Sequence, residues 1–282
     1  MPRYFKFSFI ILLLAMMNVT YAEPLWLTLP PSPTLPPTKL SGFAPINNVK
    51  IWYASYGQGP VVILLHGAMG NSNYWGKIIP ELAKNCRVIV MDSRGQGRST
   101  SDSQLYSYDL MAADVLGLMD YLNIKQAAIV GWSDGAIIGL TLAIHHPQRL
   151  TKLFAFGANS TPAALNLDSN NPVEKIIASR SDAEYKALSK TPDDLTNTAT
   201  RIDKMMATQP NFTKAQLNSI KVPTWIVDGD HDEVIKREDI EYMAAQITNA
   251  GLLIQPMVSH FSPLQDPEQF VNDVLHFLKS VT

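Results

Sequence analysis

The sequence predicts an α/β protein: a mostly parallel sheet flanked by helices on both faces, with a small helical cap inserted past its middle. Three observations carry that prediction. Short aliphatic runs such as Val61 to Leu65, Arg87 to Met91 and Leu150 to Phe156 alternate with stretches of helical period. Strands without a wet face belong to parallel sheets covered on both sides. One such run, Ala127 to Val130, breaks at Gly131-Trp132-Ser133-Asp134-Gly135 straight into an apolar helical segment. From Ala158 to about Ser219 the buried runs stop and Asn, Asp, Ser, Thr and Lys dominate. A structureless loop of that length would be unusual, so the segment reads as a helical cap.

The ends of the chain differ from this core. Residues 1–22 combine Arg3 and Lys6, an apolar run from Phe7 to Met17, and a small residue at Ala22. That is the plan of a secretory signal peptide cleaved after Ala22, the run being short for a membrane anchor. It implies an exported protein, periplasmic or secreted, with no stable membrane insertion once the signal is removed. Residues 23–45 hold seven prolines and read as an extended leader. The core then runs over 46–157 and 220–282, with the cap at 158–219.

Composition bounds the rest. The 282 residues are 46% apolar and 17% charged, with a net charge of -2, enough for a substantial core. No basic stripe points to nucleic acid. Cys86 is the single cysteine, so no internal disulfide forms, and its place before a buried strand suggests a core thiol.

Element by element, Val49 to Tyr56 alternates as an outer strand. A helical face carries Trp75, Ile78, Ile79 and Leu82 after the first buried run. Tyr108 to Leu122 is an amphipathic helix, and the helix after the elbow stops at Pro147. The cap holds candidate helices over Glu174 to Arg180, Asp182 to Leu188 and Asp194 to Met206. Pro223 to Val227 and Leu252 to Met257 are the last strands, with helices around Glu238 to Ile247 and Pro267 to Leu278.

Reactive groups in such sheets collect at the carboxyl ends of the strands. Glycines two residues to either side of Ser133 suit a strand that turns sharply into a helix with the serine held at the bend. The same spacing also fits a plain turn in which the serine caps the helix. Two later strand ends carry Asp228-Gly229-Asp230-His231-Asp232-Glu233 and Ser259-His260-Phe261-Ser262. A serine needs a base to take its proton, and a histidine base needs a carboxylate to hold its ring. Ser133, Asp232 and His260 are the candidates, in that chain order. Asp232 is preferred because Asp228 terminates its strand and Asp230 suits an Asx turn. The developing oxyanion would be held by the backbone N–H groups of Asp134 and Ala68, with Met69 the alternative to Ala68. Gly67 and Gly70 let that loop come close, and His66 reads as a structural residue shaping it.

These motifs together resemble the alpha/beta-hydrolase superfamily, in its esterase, lactonase, haloperoxidase-like and C–C hydrolase branch. The resemblance spans about Lys50 to Thr282 and rests on His66-Gly67, Asp92-x-Arg94-Gly95-x-Gly97-x-Ser99, Gly131-Trp132-Ser133-Asp134-Gly135, Gly229-Asp230-His231-Asp232 and His260-Phe261-Ser262. It implies a serine nucleophile at Ser133, the acid at Asp232 and the base at His260. Gly67, Met69, Gly131, Trp132, Gly135 and Phe261 would support the pocket, and the Arg94 loop would be structural. Many members carry Met or Gln at position 134, so Asp134 would be an exposed acid near the entrance. It would favour a cationic substrate or, preferred here, serve the N-terminus of the elbow helix.

The expected chemistry is acyl transfer from a small ester or lactone to water, with no cofactor and no metal. C–C bond hydrolysis beside a ketone, or peroxyacid formation, uses the same groups. Metal-dependent hydrolysis through Asp228, Asp230, His231 and Asp232 is disfavoured because adjacent residues do not easily converge on one ion. A non-catalytic binding protein on this fold is the remaining rival. Haloalkane dehalogenation needs a carboxylate where Ser133 stands.

Overall fold

A computed structural model describes residues 23–166 and 172–280; the predicted signal segment lies outside the described residues. In chain order the core begins with β1 (Ser41–Ile46), β2 (Val49–Tyr56), β3 (Val61–Leu65), α1 (Ile79–Leu82) and β4 (Arg87–Met91). It continues with α2 (Tyr108–Tyr121), β5 (Ala127–Trp132), α3 (Asp134–His145) and β6 (Leu150–Phe156). Three helices follow before the next strand: α4 (Pro172–Leu188), α5 (Leu195–Met206) and α6 (Lys214–Ser219). The chain returns through β7 (Thr224–Gly229), α7 (Arg237–Gln246), β8 (Ala250–Gln255), α8 (Ser262–Gln265) and α9 (Pro267–Lys279).

The eight strands form one sheet in the order β1-β2-β4-β3-β5-β6-β7-β8. The β1/β2 and β2/β4 pairs are antiparallel and the rest parallel. Continuous apolar runs are required because successive residues feed two different cores. Ile63, Leu65, Ile89, Met91 and Ile129 point into one, against α2 and α3. Val62, Leu64, Val88, Val90 and Val130 point into the other, against Trp75 and α9. Cys86 is a buried free thiol beside the second. Ser107 caps α2 by accepting the Leu110 N–H at 3.1 Å, and Asp266 caps α9 by accepting that of Gln269 at 2.9 Å.

Several boundaries differ from expectation, each for a local reason. Strand β1 falls largely within the segment read as leader, and its Ala44 and Ile46 alone face the core. That strand is joined to β2 by Asn47 and Asn48, both at positive φ, the conformation a tight hairpin demands. The two helices expected over 174–188 are one, α4, since neither Gly nor Pro separates them and Ser181 is buried mid-helix. Strand β8 ends two residues early because Met257 adopts φ 63° and is 54% exposed.

The Pro-rich leader is extended, as expected, apart from one helical turn at Leu25–Leu27. Contrary to expectation, it is packed. Trp26 stacks on His231 with ring centroids 3.8 Å apart. Gln265 donates to the Thr28 carbonyl at 2.9 Å. From α4, Arg180 donates to the carbonyls of Pro30 at 2.7 Å and Leu29 at 3.0 Å. The leader thereby ties the cap helix to the core. It passes so close to Gly76 that a Cβ there would clash with the Thr34 carbonyl. Gly76→Ala is expected to cost about 1–3 kcal/mol of stability, the usual range for overpacking, as a lower urea midpoint.

Candidate active site

The elbow forms where β5 gives way to α3. A Cβ on Gly131 would collide with the backbone of Gly135 and Ala136, and one on Gly135 with the carbonyl of Leu65. Glycine at both places is therefore a packing requirement. Ser133 between them adopts φ 56°, ψ -121°, a strained conformation for a residue with a side chain. Its N–H donates to the Phe156 carbonyl at 2.8 Å, which pins the bend to β6.

The loop after β3 approaches this serine closely. An added Cβ on Gly67 would lie 3.0 Å from the Ser133 Cβ. His66 shapes the loop as expected. Its Nε2 accepts the Ser93 N–H at 3.0 Å, so Nδ1 carries the proton and donates to the Gly67 carbonyl at 2.7 Å. Burial pushes its pKa down, consistent with a neutral ring. Ala68 and Met69 line the cavity beside Ser133, Met69 at φ 53°. The Arg94 loop is structural too: Arg94 donates to Asp114 at 2.5 and 2.7 Å, both side chains buried.

Asp134 corrects one expectation. Its side chain is buried, only 3% exposed, and accepts the Tyr108 hydroxyl at 2.7 Å. Burial raises its pKa to about 6, against the lowering effects of the Tyr108 bond and His260. This carboxyl anchors the start of α3 and does not line the cavity.

The structure brings Asp232 to His260 and leaves the neighbouring aspartates aside. His260 Nδ1 donates to Asp232 Oδ2 at 2.7 Å, with both side chains almost fully buried. The other oxygen, Oδ1, accepts the N–H groups of Val234 and Ile235, each at 2.7 Å. Burial would raise the Asp232 pKa, but the charge and hydrogen bond of His260 and its backbone donors hold it below the ordinary value. Asp230 accepts the Val258 N–H at 3.3 Å. Asp228 is wholly buried against Asp232, and burial and that neighbouring charge push its pKa well up. Among the described residues no group of three or more His, Cys, Asp or Glu is placed to hold a metal ion.

Three further contacts fix His260. Trp132 donates from its indole to the His260 carbonyl at 2.8 Å, and Phe261 packs edge-on against Trp132 at 5.8 Å. Gly157, at φ 63°, makes room for the ring, since a Cβ there would sit 2.7 Å from His260 Cε1. Glu233 accepts the His260 N–H at 3.1 Å and the Ser259 hydroxyl at 3.3 Å. Burial would lower the His260 pKa, yet Asp232 first, then Glu233 and Glu174, carry it above 6.5. Sequence reasoning missed Gly157 and Glu233. The only signals were a glycine ending β6 and a second acid beside Asp232.

Glu233→Gln removes one of the charges that favour the imidazolium, so the His260 pKa should fall. A base works when unprotonated, so the acid limb of kcat/KM should move to lower pH, read from a pH–rate profile of the variant.

Ser133 and His260 line the same cavity, of about 300 Å³. Its floor is Gly67, Ala68, Met69 and Trp132, and its roof comes from α4 and α5. The roof lies between β6 and β7, above the carboxyl ends of the strands.

Comparison with known proteins agrees with this geometry. The alpha/beta hydrolase fold family matches residues 60–176. Serine hydrolase BPHL of Mus musculus is 24% identical over 256 residues, covering 83% of this chain and 84% of that protein. The 2-hydroxy-6-oxo-6-(2'-aminophenyl)hexa-2,4-dienoic acid hydrolase of Metapseudomonas resinovorans is 26% identical, covering 84% of this chain and 90% of that one. Among solved structures, Est816, an N-acyl homoserine lactone degrading enzyme, superposes with a TM-score of 0.71 at 26% identity. That likeness covers 84% of this chain and all of Est816. Sheet order, elbow and sequence likeness agree: the chain has the alpha/beta-hydrolase fold, and it is similar to hydrolases built on that fold.

Proposed function

We propose that the protein is a serine hydrolase that cleaves a small carboxylic ester or lactone through an acyl-enzyme on Ser133. The observation that carries this reading is the 2.7 Å bond between His260 and Asp232 in the wall of a cavity that Ser133 shares. In the first half-reaction His260 Nε2 takes the Ser133 proton as Oγ attacks the carbonyl carbon. The oxyanion is held by the N–H groups of Ala68 and Asp134, at the positive end of α3. Asp232 holds the Nδ1–H tautomer and stabilises the imidazolium that forms. His260 then gives its proton to the departing alkoxide. In the second half-reaction it takes a proton from water, whose oxygen attacks the acyl carbon, and returns it to Ser133.

The cap roofs the cavity and would set acyl size. The likeness to a dienoic acid hydrolase supports C–C cleavage as a second reading of the same groups. Steady-state assays on short p-nitrophenyl esters, small lactones and a vinylogous 1,5-diketo acid test these readings together. Turnover of esters or lactones supports the first, and turnover of the diketo acid alone supports the second. Residues 1–22 suggest export to the periplasm or beyond, tested by fractionation and the mass of the mature N-terminus. Among the described residues no helix is long and apolar enough to cross a membrane.

A further inference from the structure

We infer that the Pro-rich leader is a strap: it holds cap helix α4 down over Ser133 and so limits the size of acyl group the site takes. The inference rests on the serine-hydrolase reading and deepens it by naming what sets substrate size. Of the seventeen residues of α4, Val173, Ser181 and Tyr185 are buried. Little apolar surface fixes the helix, and segments of that kind open at low cost. Yet Ile177, Ala178 and Ser181 form part of the cavity roof. Any lift of α4 therefore widens the cavity directly.

The leader is anchored to the core on both sides of its crossing with α4. Upstream, Trp26 lies flat on His231, the ring planes 7° apart, in the loop that carries Asp232. Downstream, the Thr38 hydroxyl donates to the Ser55 carbonyl at 2.9 Å, and the Leu40 carbonyl accepts the Ser55 N–H at 2.8 Å, which fixes that end on β2. Leu29 and Leu35 pack against the second core on the way. Between these anchors the chain meets α4. Arg180 donates to the Leu29 and Pro30 carbonyls, and the Ser32 hydroxyl donates to Glu184. The other Glu184 oxygen accepts from the Asn71 amide at 2.7 Å, three residues beyond Ala68. Helix α4 is thus clamped between the leader and the loop on the oxyanion side.

Composition suits the leader to this task. Pro30, Pro31, Pro33, Pro36 and Pro37 fix φ and lack an N–H, so the segment is semi-rigid and has little freedom to lose on docking. Its carbonyls, outside any strand ladder, are left to accept from a charged guanidinium, which makes stronger bonds than a neutral donor.

The test compares kcat/KM for p-nitrophenyl decanoate and p-nitrophenyl butyrate, beside hydrogen exchange of the α4 amides. It uses the wild type, Arg180→Gln, Trp26→Ala and the double variant. Glutamine keeps a polar stem but lacks the fork that spans two carbonyls. In Arg180→Gln the decanoate-to-butyrate ratio is expected to rise at least about fivefold. The α4 amides should exchange faster while those of β5 and β6 do not change. Trp26→Ala should move the ratio the same way, and the double variant should match the larger single effect, because a strap released at one point is already slack. An unchanged ratio or unchanged α4 exchange in folded Arg180→Gln overturns the strap, as do effects that multiply in the double variant. If Arg180→Gln does not fold, Trp26→Ala decides by the same two readouts. If the wild type turns over neither ester and no fluorophosphonate adduct forms on Ser133, the serine-hydrolase reading falls. The exchange readout, which needs no substrate, then still decides whether the leader holds α4.

Discussion

Ser133→Ala is expected to lower kcat on any ester the wild type turns over by about 10⁶-fold, the loss seen when a serine nucleophile is deleted from such machinery. The size follows from the route. Without Oγ no acyl-enzyme forms, and only the oxyanion donors and bound-substrate geometry remain to help water attack directly. Stability should change little or rise, since the strained φ of 56° is no worse for alanine than for serine. Steady-state kinetics beside urea unfolding separate the two. A variant that stays folded and keeps more than a few per cent of wild-type turnover would show that Ser133 is not the nucleophile.

Asp232→Asn comes second in size, with an expected loss in kcat of about 10⁴-fold. Asparagine fills the same space, and its carbonyl oxygen can still accept the N–H groups of Val234 and Ile235 that now bond Oδ1. Its NH₂ would then face His260 Nδ1, which now donates at 2.7 Å. Two donors cannot pair, so the ring switches to the tautomer with the proton on Nε2. In that form it cannot accept the Ser133 proton. The variant should unfold near the wild-type midpoint while kcat collapses. Asp230→Asn is the informative partner, since Asp230 accepts the Val258 N–H at 3.3 Å and lies 3.9 Å from His231 Nε2, away from His260, and its loss should leave kcat within a few-fold.

Much of this arrangement was legible in the chain because its causes are local. Gly131 and Gly135 are dictated by backbone contacts within the elbow, and the alternation in β3, β4 and β5 by two cores that each take every second residue. Asp232 stood out because it lies far enough beyond β7 to reach a neighbouring loop. What sequence could not give depends on distant contacts. Gly157 is required by the ring of His260, 103 positions later in the chain. The partner of Asp134, the Tyr108 hydroxyl, belongs to α2, so its burial was invisible beside an elbow that reads as exposed. The Pro-rich leader has no helical or strand period, yet backbone carbonyls need neither to accept from Arg180 and Gln265.

One hydroxyl, set on a turn its neighbours make unavoidable, should be more reactive than any other in the molecule because an imidazole and a carboxylate act on it. The most direct measurement is phosphonylation by an alkyl fluorophosphonate followed by peptide mass mapping, on the wild type and on His260→Ala. A single adduct on Ser133, formed far more slowly in His260→Ala, is the predicted result. Adducts on another residue, or equal labelling rates in the two proteins, would contradict it.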